Sequence, residues 1–177
     1  MAKEANKKTD KDIHVIYNFE KAEAIENWRI VNDGVMGGLS QSKIIFSDFG
    51  TAIFKGTVSL ENYGGFASTR TVPISYNLGD YEGIRIRVKG DGKKYQFRLR
   101  TDDRFDGISY RYEFITEADT WIIIDIPFHE CKPVFRGRIL KDVGPIISEE
   151  IKQIGFLISD KQVGKFKIEI DWIKAYK

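Results

Sequence analysis

The residues of this 177-residue chain best suited to chemistry lie in two glycine-rich stretches, one run of carboxylates and one alternating arginine series. The first stretch reads Asn32-Asp33-Gly34-Val35-Met36-Gly37-Gly38-Leu39-Ser40. A phosphate-cradling loop would continue with Lys-Ser or Lys-Thr and then a helix. Here Gln41-Ser42 leads into the strand-like Ile44-Ile45-Phe46, so the stretch is not a P-loop. Its glycines permit the unusual dihedrals of a shaped turn. Met36 is then either a core or turn residue or an adaptable apolar contact for a partner. The second stretch runs from Glu61 to Arg70 through Asn62-Tyr63-Gly64-Gly65-Phe66. A strand connection explains its glycines but not the amide, rings and guanidinium gathered beside them.

The carboxylates of Asp102-Asp103-Arg104-Phe105-Asp106-Gly107 do not have the spacing of an EF-hand loop, and a polar connection fits them better. Glu20 and Asp171 flank the first and last expected strands, where a sandwich can hold a structural calcium; this stays a minor alternative. His14 and His129 are the only histidines, with no metal-ligand spacing and no nucleophile motif. The expectation is therefore no metal, no cofactor and no enzyme. A site assembled from distant loops by Asp33, Arg70 and Asp106 is the weakest of three readings.

Alternation puts Ile84, Ile86 and Val88 on one side of a strand and Arg85, Arg87 and Lys89 on the other. Residues 95–101 repeat the pattern, with Phe97 and Leu99 inward and Gln96, Arg98 and Arg100 outward. Gly90-Asp91-Gly92-Lys93 between them suits a tight hairpin, which would stack all these cations on one face. Arg111 can join them, with Glu113 as counter-charge. Like charges opposite one another on a sheet are unfavourable. The face therefore calls for acidic neighbours, water or an anionic partner, and arginine's planar fork suits the last. A solvated face kept soluble by charge is the plainer account.

Further strands are expected at 13–19, 42–47, 51–60, 65–70, 109–115, 120–126, 153–159 and 165–176, separated mostly by Gly, Asn and Asp turns. Only Lys21 to Asn27 and Ser148 to Ile151 look helical, and neither could cover a parallel sheet. Forty-two per cent apolar and 13% aromatic residues can fill the space between two sheets. The pattern gives one β-sandwich domain, 13–177, behind a disordered polar tail, 1–12. A net charge of +2 does not suggest nucleic acid. No apolar run reaches the roughly 20 residues of a membrane span, and the polar start is no secretory signal. A lone cysteine, Cys131, fits a reducing cytoplasm and reads as an inert thiol.

The segment from Trp28 through Ser40, then Asn62 through Arg70, resembles the complex I intermediate-associated protein 30 family. Tyr81-Glu82-Gly83-Ile84, Gly90-Asp91-Gly92, Trp121, Ile126-Pro127-Phe128, Phe135-Arg136-Gly137-Arg138 and Ile154-Gly155-Phe156 are also similar to it. The resemblance implies a galactose-binding-domain-like β jelly roll. It also implies an assembly factor, chaperone-like, that holds intermediates of a respiratory or other multi-subunit complex. The family supplies no catalytic set, so Trp28, Asp33, Met36, Asn62, Phe66, Arg70 and Arg136 carry over as binding or loop-shaping candidates. Arg98 and Arg100 join them from the alternation. A protein partner is the first expectation and a carbohydrate the alternative, with Trp28, Tyr63 and Phe66 stacking on a sugar.

Overall fold

Alternating segments become extended chain throughout the computed structural model, which describes residues 12–177. The expected polar tail falls outside those residues apart from Asp12. One sheet has six strands in the order β3 (Gln41–Ser47), β4 (Thr51–Val58), β13 (Gly164–Tyr176), β6 (Gly83–Lys89) and β9 (Trp121–Pro127). Its sixth strand, β1 (Ile13–Asn18), pairs with the C-terminal half of β13, beyond the stretch that β4 uses. The other sheet has seven strands, in the order β11 (Arg138–Ile139), β10 (Lys132–Phe135), β8 (Ser109–Ile115), β7 (Lys94–Arg100), β12 (Gln153–Ile158), β5 (Ala67–Thr71) and β2 (Trp28–Ile30). Neighbouring strands are antiparallel throughout.

The core lies between the sheets and is built by the inward half of each alternation. Ile84, Ile86 and Val88 of β6 face it from the first sheet, and Tyr95, Phe97 and Leu99 of β7 from the second; all six are fully buried. Trp28, Phe97 and Phe156 form one aromatic group, and Phe54, Phe166 and Tyr95 another. Rings in such contact add about 0.5–1.5 kcal/mol per pair to what their burial contributes.

Three expectations need correction. The two helical segments form only 3-10 turns, Ala22–Ile25 and Ser148–Glu150, because each is too short to repay helix nucleation. Three short strands, β2, β10 and β11, occupy segments read as loop. The Gly90–Lys93 segment does not close a hairpin: β6 belongs to one sheet and β7 to the other. Gly90 sits so close to Thr116 that an added Cβ would lie 2.2 Å from its side chain, and it bridges Ala118. The chain crosses here from one layer to the next. Local alternation shows which side of a strand faces the core, but not which sheet the strand joins.

Candidate functional site

That crossing places the two sets of cations on opposite sides of the molecule. On the outer face of the six-stranded sheet every cation of β6 has a carboxylate. Arg85 pairs with Asp125 at 2.5 Å, Arg87 with Asp171 at 2.5 Å, and Lys89 with Glu169 at 3.1 Å. Asp171 is thus engaged by an arginine. Among the described residues no group of three or more His, Cys, Asp or Glu side chains could hold a metal ion.

The outer face of the seven-stranded sheet is different. Strand register aligns Arg29, Arg70, Gly155, Arg98, Arg111 and Lys132 in one row across β2, β5, β12, β7, β8 and β10. Five of these six positions are cationic, and directly opposed residues share a face. Arg111 has Glu113 at 3.6 Å. Among the described residues, Arg70, Arg98 and Arg100 have no carboxylate within salt-bridge distance; neutral oxygens hold them instead. Arg98 donates from Nε and Nη2 to Gln96 Oε1 and from Nη1 to Ser109 Oγ. Arg100 donates to the Gly107 carbonyl at 2.9 Å. Arg70 donates to the Phe105 carbonyl at 2.7 Å, its guanidinium lying over the Phe105 ring.

Burial weakens the charged form of all three. It pushes the Arg98 guanidinium down to about 10, with Arg111 and Arg100 adding like-charge repulsion. It also lowers Arg100 to about 10, with Arg70 adding to the effect. Burial lowers Arg70 too, against partial compensation from Asp106. All three stay charged at neutral pH.

These arginines line a groove of about 620 Å³, within the range of roughly 300–1,000 Å³ usual for ligand sites. Gly155 forms its floor between Arg70 and Arg98. A Cβ there would lie 2.6 Å from the Thr69 carbonyl oxygen and 2.9 Å from Arg70 Cβ. One wall carries Val35, Met36 and Phe66. On the other, Arg136 of the β10–β11 turn reaches across to Asp106 at 2.6 Å.

The first wall is held by Asp33, which is fully buried. Its carboxylate accepts from the Ser40 amide, the Ser40 hydroxyl and the Gly65 and Phe66 amides. Burial raises its pKa, but these hydrogen bonds outweigh burial and hold it below the ordinary carboxylate value. The two glycine-rich stretches are therefore one structure, clamped at Asp33.

Of the candidate residues, Met36, Phe66, Arg70, Arg98, Arg100 and Arg136 meet in the groove. Asp33 shapes its wall from behind. Asn62 lies in an exposed turn with a left-handed backbone, outside the groove lining. Trp28 is buried in the core against Tyr17, Phe19 and Phe156, out of a ligand's reach. Cys131 is also buried, and burial pushes its thiol up to about 12. Sequence reasoning missed Gly155, Gln153 and Leu157 as groove residues. A glycine inside the apolar alternation of β12 is the signal that could have found the floor, since it marks a close backbone approach.

The two-sheet jelly roll is similar in fold to carbohydrate-binding modules. The family 11 module from Clostridium thermocellum, solved with a β-1,3-1,4-mixed-linked tetrasaccharide, superposes with a TM-score of 0.69. The match covers 93% of this chain and 95% of that one at 19% identity. A family 29 carbohydrate-binding module gives a TM-score of 0.53 over 92% of this chain and 86% of its own, at 12% identity. Likeness at these identities shows the fold alone.

Sequence decides the family. The profile described as Complex I intermediate-associated protein 30 matches residues 17–170, and the chain belongs to that family. The mouse protein named "Complex I intermediate-associated protein 30, mitochondrial" is 28% identical over 182 residues, covering 92% of this chain and 56% of its own length. The Drosophila melanogaster protein of the same name is 26% identical, covering 90% and 61%. This chain thus spans little more than half the length of these animal relatives. An uncharacterized Schizosaccharomyces pombe protein is 29% identical, covering 85% of this chain and 80% of its own.

Proposed function

We propose that this chain is a non-catalytic protein-binding module that holds an incompletely assembled part of a multi-subunit complex, with the groove of the seven-stranded sheet as its recognition surface. Membership of a family named for association with complex I intermediates supports this reading, and respiratory complex I is the assembly it points to. The observation that carries it is the contrast between the two outer faces. Arg85, Arg87 and Lys89 are matched by carboxylates in direct contact, whereas among the described residues Arg70, Arg98 and Arg100 are partly desolvated with carboxylates only beyond salt-bridge distance. Stability alone does not favour such an arrangement, since a buried charge without a partner is costly. Binding does.

The groove offers little to an enzyme. Asp33 is sealed behind the wall by its own hydrogen bonds, and Asp106 is engaged by Arg136. Carbohydrate binding is the weaker alternative, because only one of the three rings expected to stack on a sugar, Phe66, lines the groove. Trp28 is buried, Tyr63 stands outside the groove lining, and the Arg70 guanidinium covers the Phe105 ring. We assign the module to the cytoplasm, a reducing compartment that suits its buried, unpaired Cys131.

Charge reversal on the groove tests the reading. Native purification of the parent and of the folded Arg98→Glu/Arg100→Glu variant is compared for subunits of a respiratory complex. Loss of those subunits from the variant is the expected result. Equal recovery by both would remove the groove from the account.

A further inference from the structure

The groove also constrains what its occupant must carry. Arg70 and Arg98 stand in one register row on either side of Gly155, so their Cα atoms are about 10 Å apart across two strand spacings. Arg100 follows Arg98 on the same face one pleat further along β7. Gly155, between them, has no side chain to fill the space. Each guanidinium is braced by neutral oxygens: Arg70 and Arg100 by loop carbonyls, Arg98 by Gln96 and Ser109. Arg70 and Arg100 each direct one N–H to the protein, which leaves most of both forks unused among the described residues. Braced, partly desolvated and mutually repelling guanidinium groups make a prepared receptor for oxyanions, because bidentate N–H···O pairs satisfy both geometry and charge.

We infer that Arg70, Arg98 and Arg100 form a carboxylate-binding site over the Gly155 floor, and that its occupant is an extended acidic segment of the partner protein. This rests on the protein-binding reading above and adds the chemistry of the partner. An extended segment suits the dimensions. The row from β5 to β10 crosses about 19 Å of sheet, the reach of about six extended residues. The apolar wall of Val35, Met36 and Phe66 takes the stems or apolar neighbours of the acidic residues. The Arg136–Asp106 pair closes the opposite side.

The test uses a peptide of about six glutamates, with inorganic phosphate and a neutral β-glucan oligosaccharide as competing probes. Binding is followed by NMR through the Nε–Hε signals of Arg70, Arg98 and Arg100 and the Gly155 amide. The peptide is expected to move these signals and to bind more weakly as salt rises. Arg100→Gln is expected to weaken it about tenfold or more, as loss of one charge-assisted fork should. Arg100→Lys is expected to recover only part of that loss, because it restores the charge without the fork. Arg85→Gln, on the opposite face, should leave binding unchanged. If Arg100→Gln does not fold, Arg70→Gln serves in its place.

Phosphate binding in the groove without peptide binding would overturn the inference in favour of a small-anion site. Glucan binding that is indifferent to the arginine variants would overturn it in favour of a sugar site. No response to any probe would overturn it as well. In all three cases the charge-reversal purification still decides separately whether the groove recognises a protein.

Discussion

The Asp33 carboxylate accepts a hydrogen bond of 2.7 Å from the Gly65 amide, thirty-two residues further along the chain. With the Phe66 amide donating to the same carboxylate, this contact joins the loop that carries Met36 to the loop that carries Phe66, and so holds one wall of the groove. The charged group of Asp33 is structural, and what it positions is recognition surface.

Asp33→Ala should therefore cost about 1–3 kcal/mol, the cost of leaving several buried donors without an acceptor. Urea denaturation measures it. Hydrogen exchange should rise first at the Gly65, Phe66 and Ser40 amides, which donate to this carboxylate. Unchanged protection at those amides would show that the wall holds without the clamp.

The same clamp sets an acid limit. Burial raises the pKa of Asp33 and of Glu169, but hydrogen bonds from Ser40, Gly65 and Phe66 in one case, and from Thr51 and Lys89 in the other, hold both below their ordinary values of 3.8 and 4.5. With folded-state values depressed, the unfolded chain binds protons more readily than the folded one. The stability these groups contribute is complete above their unfolded values and is lost as pH falls through the folded ones. Thermal melts should show the full, pH-independent contribution of both groups between about pH 7 and 5 and a steep decline below about pH 4. Asp33→Ala should flatten that decline.

Gly155→Ala should destabilise the protein by about 1–3 kcal/mol, because the new methyl meets backbone that cannot give way. Guanidinium-chloride denaturation would measure it. A neutral result would mean that β5 and β12 can separate at the groove floor.

Arg100→Met should leave stability unchanged or raise it by about 1–2 kcal/mol, since a half-buried guanidinium with no carboxylate in salt-bridge contact is exchanged for an apolar side chain. Arg85→Ala, which removes a partly exposed ion pair, should cost less than about 1 kcal/mol. A strongly destabilised Arg100→Met would mean that this arginine serves the fold rather than a partner. Parallel urea titrations decide it.

Much of the molecule was legible from period-two alternation. It correctly separates Phe97 and Leu99 from Arg98 and Arg100, because the pleat alone fixes which side chains face the core. It could not separate Arg85 and Arg87 from Arg98 and Arg100, since sheet membership depends on pairing between residues far apart, such as Ile170 with Val88 and Gly155 with Arg98. The short strands β2, β10 and β11 carry too few residues to show a period. The groove itself was half visible. Its arginines stood out by charge, but its floor was defined by Gly155, where the Thr69 carbonyl and Arg70 approach too closely to admit a side chain.

The most direct test of the account places a photo-crosslinking side chain at Leu157, on the groove face of β12, and in a second protein at Ile123, on the exposed edge strand β9 of the other sheet. Irradiation before native purification should link the Leu157 protein to a subunit of a multi-subunit complex and leave the Ile123 protein unlinked to it. The reverse pattern would contradict the assignment of the seven-stranded sheet as the recognition face.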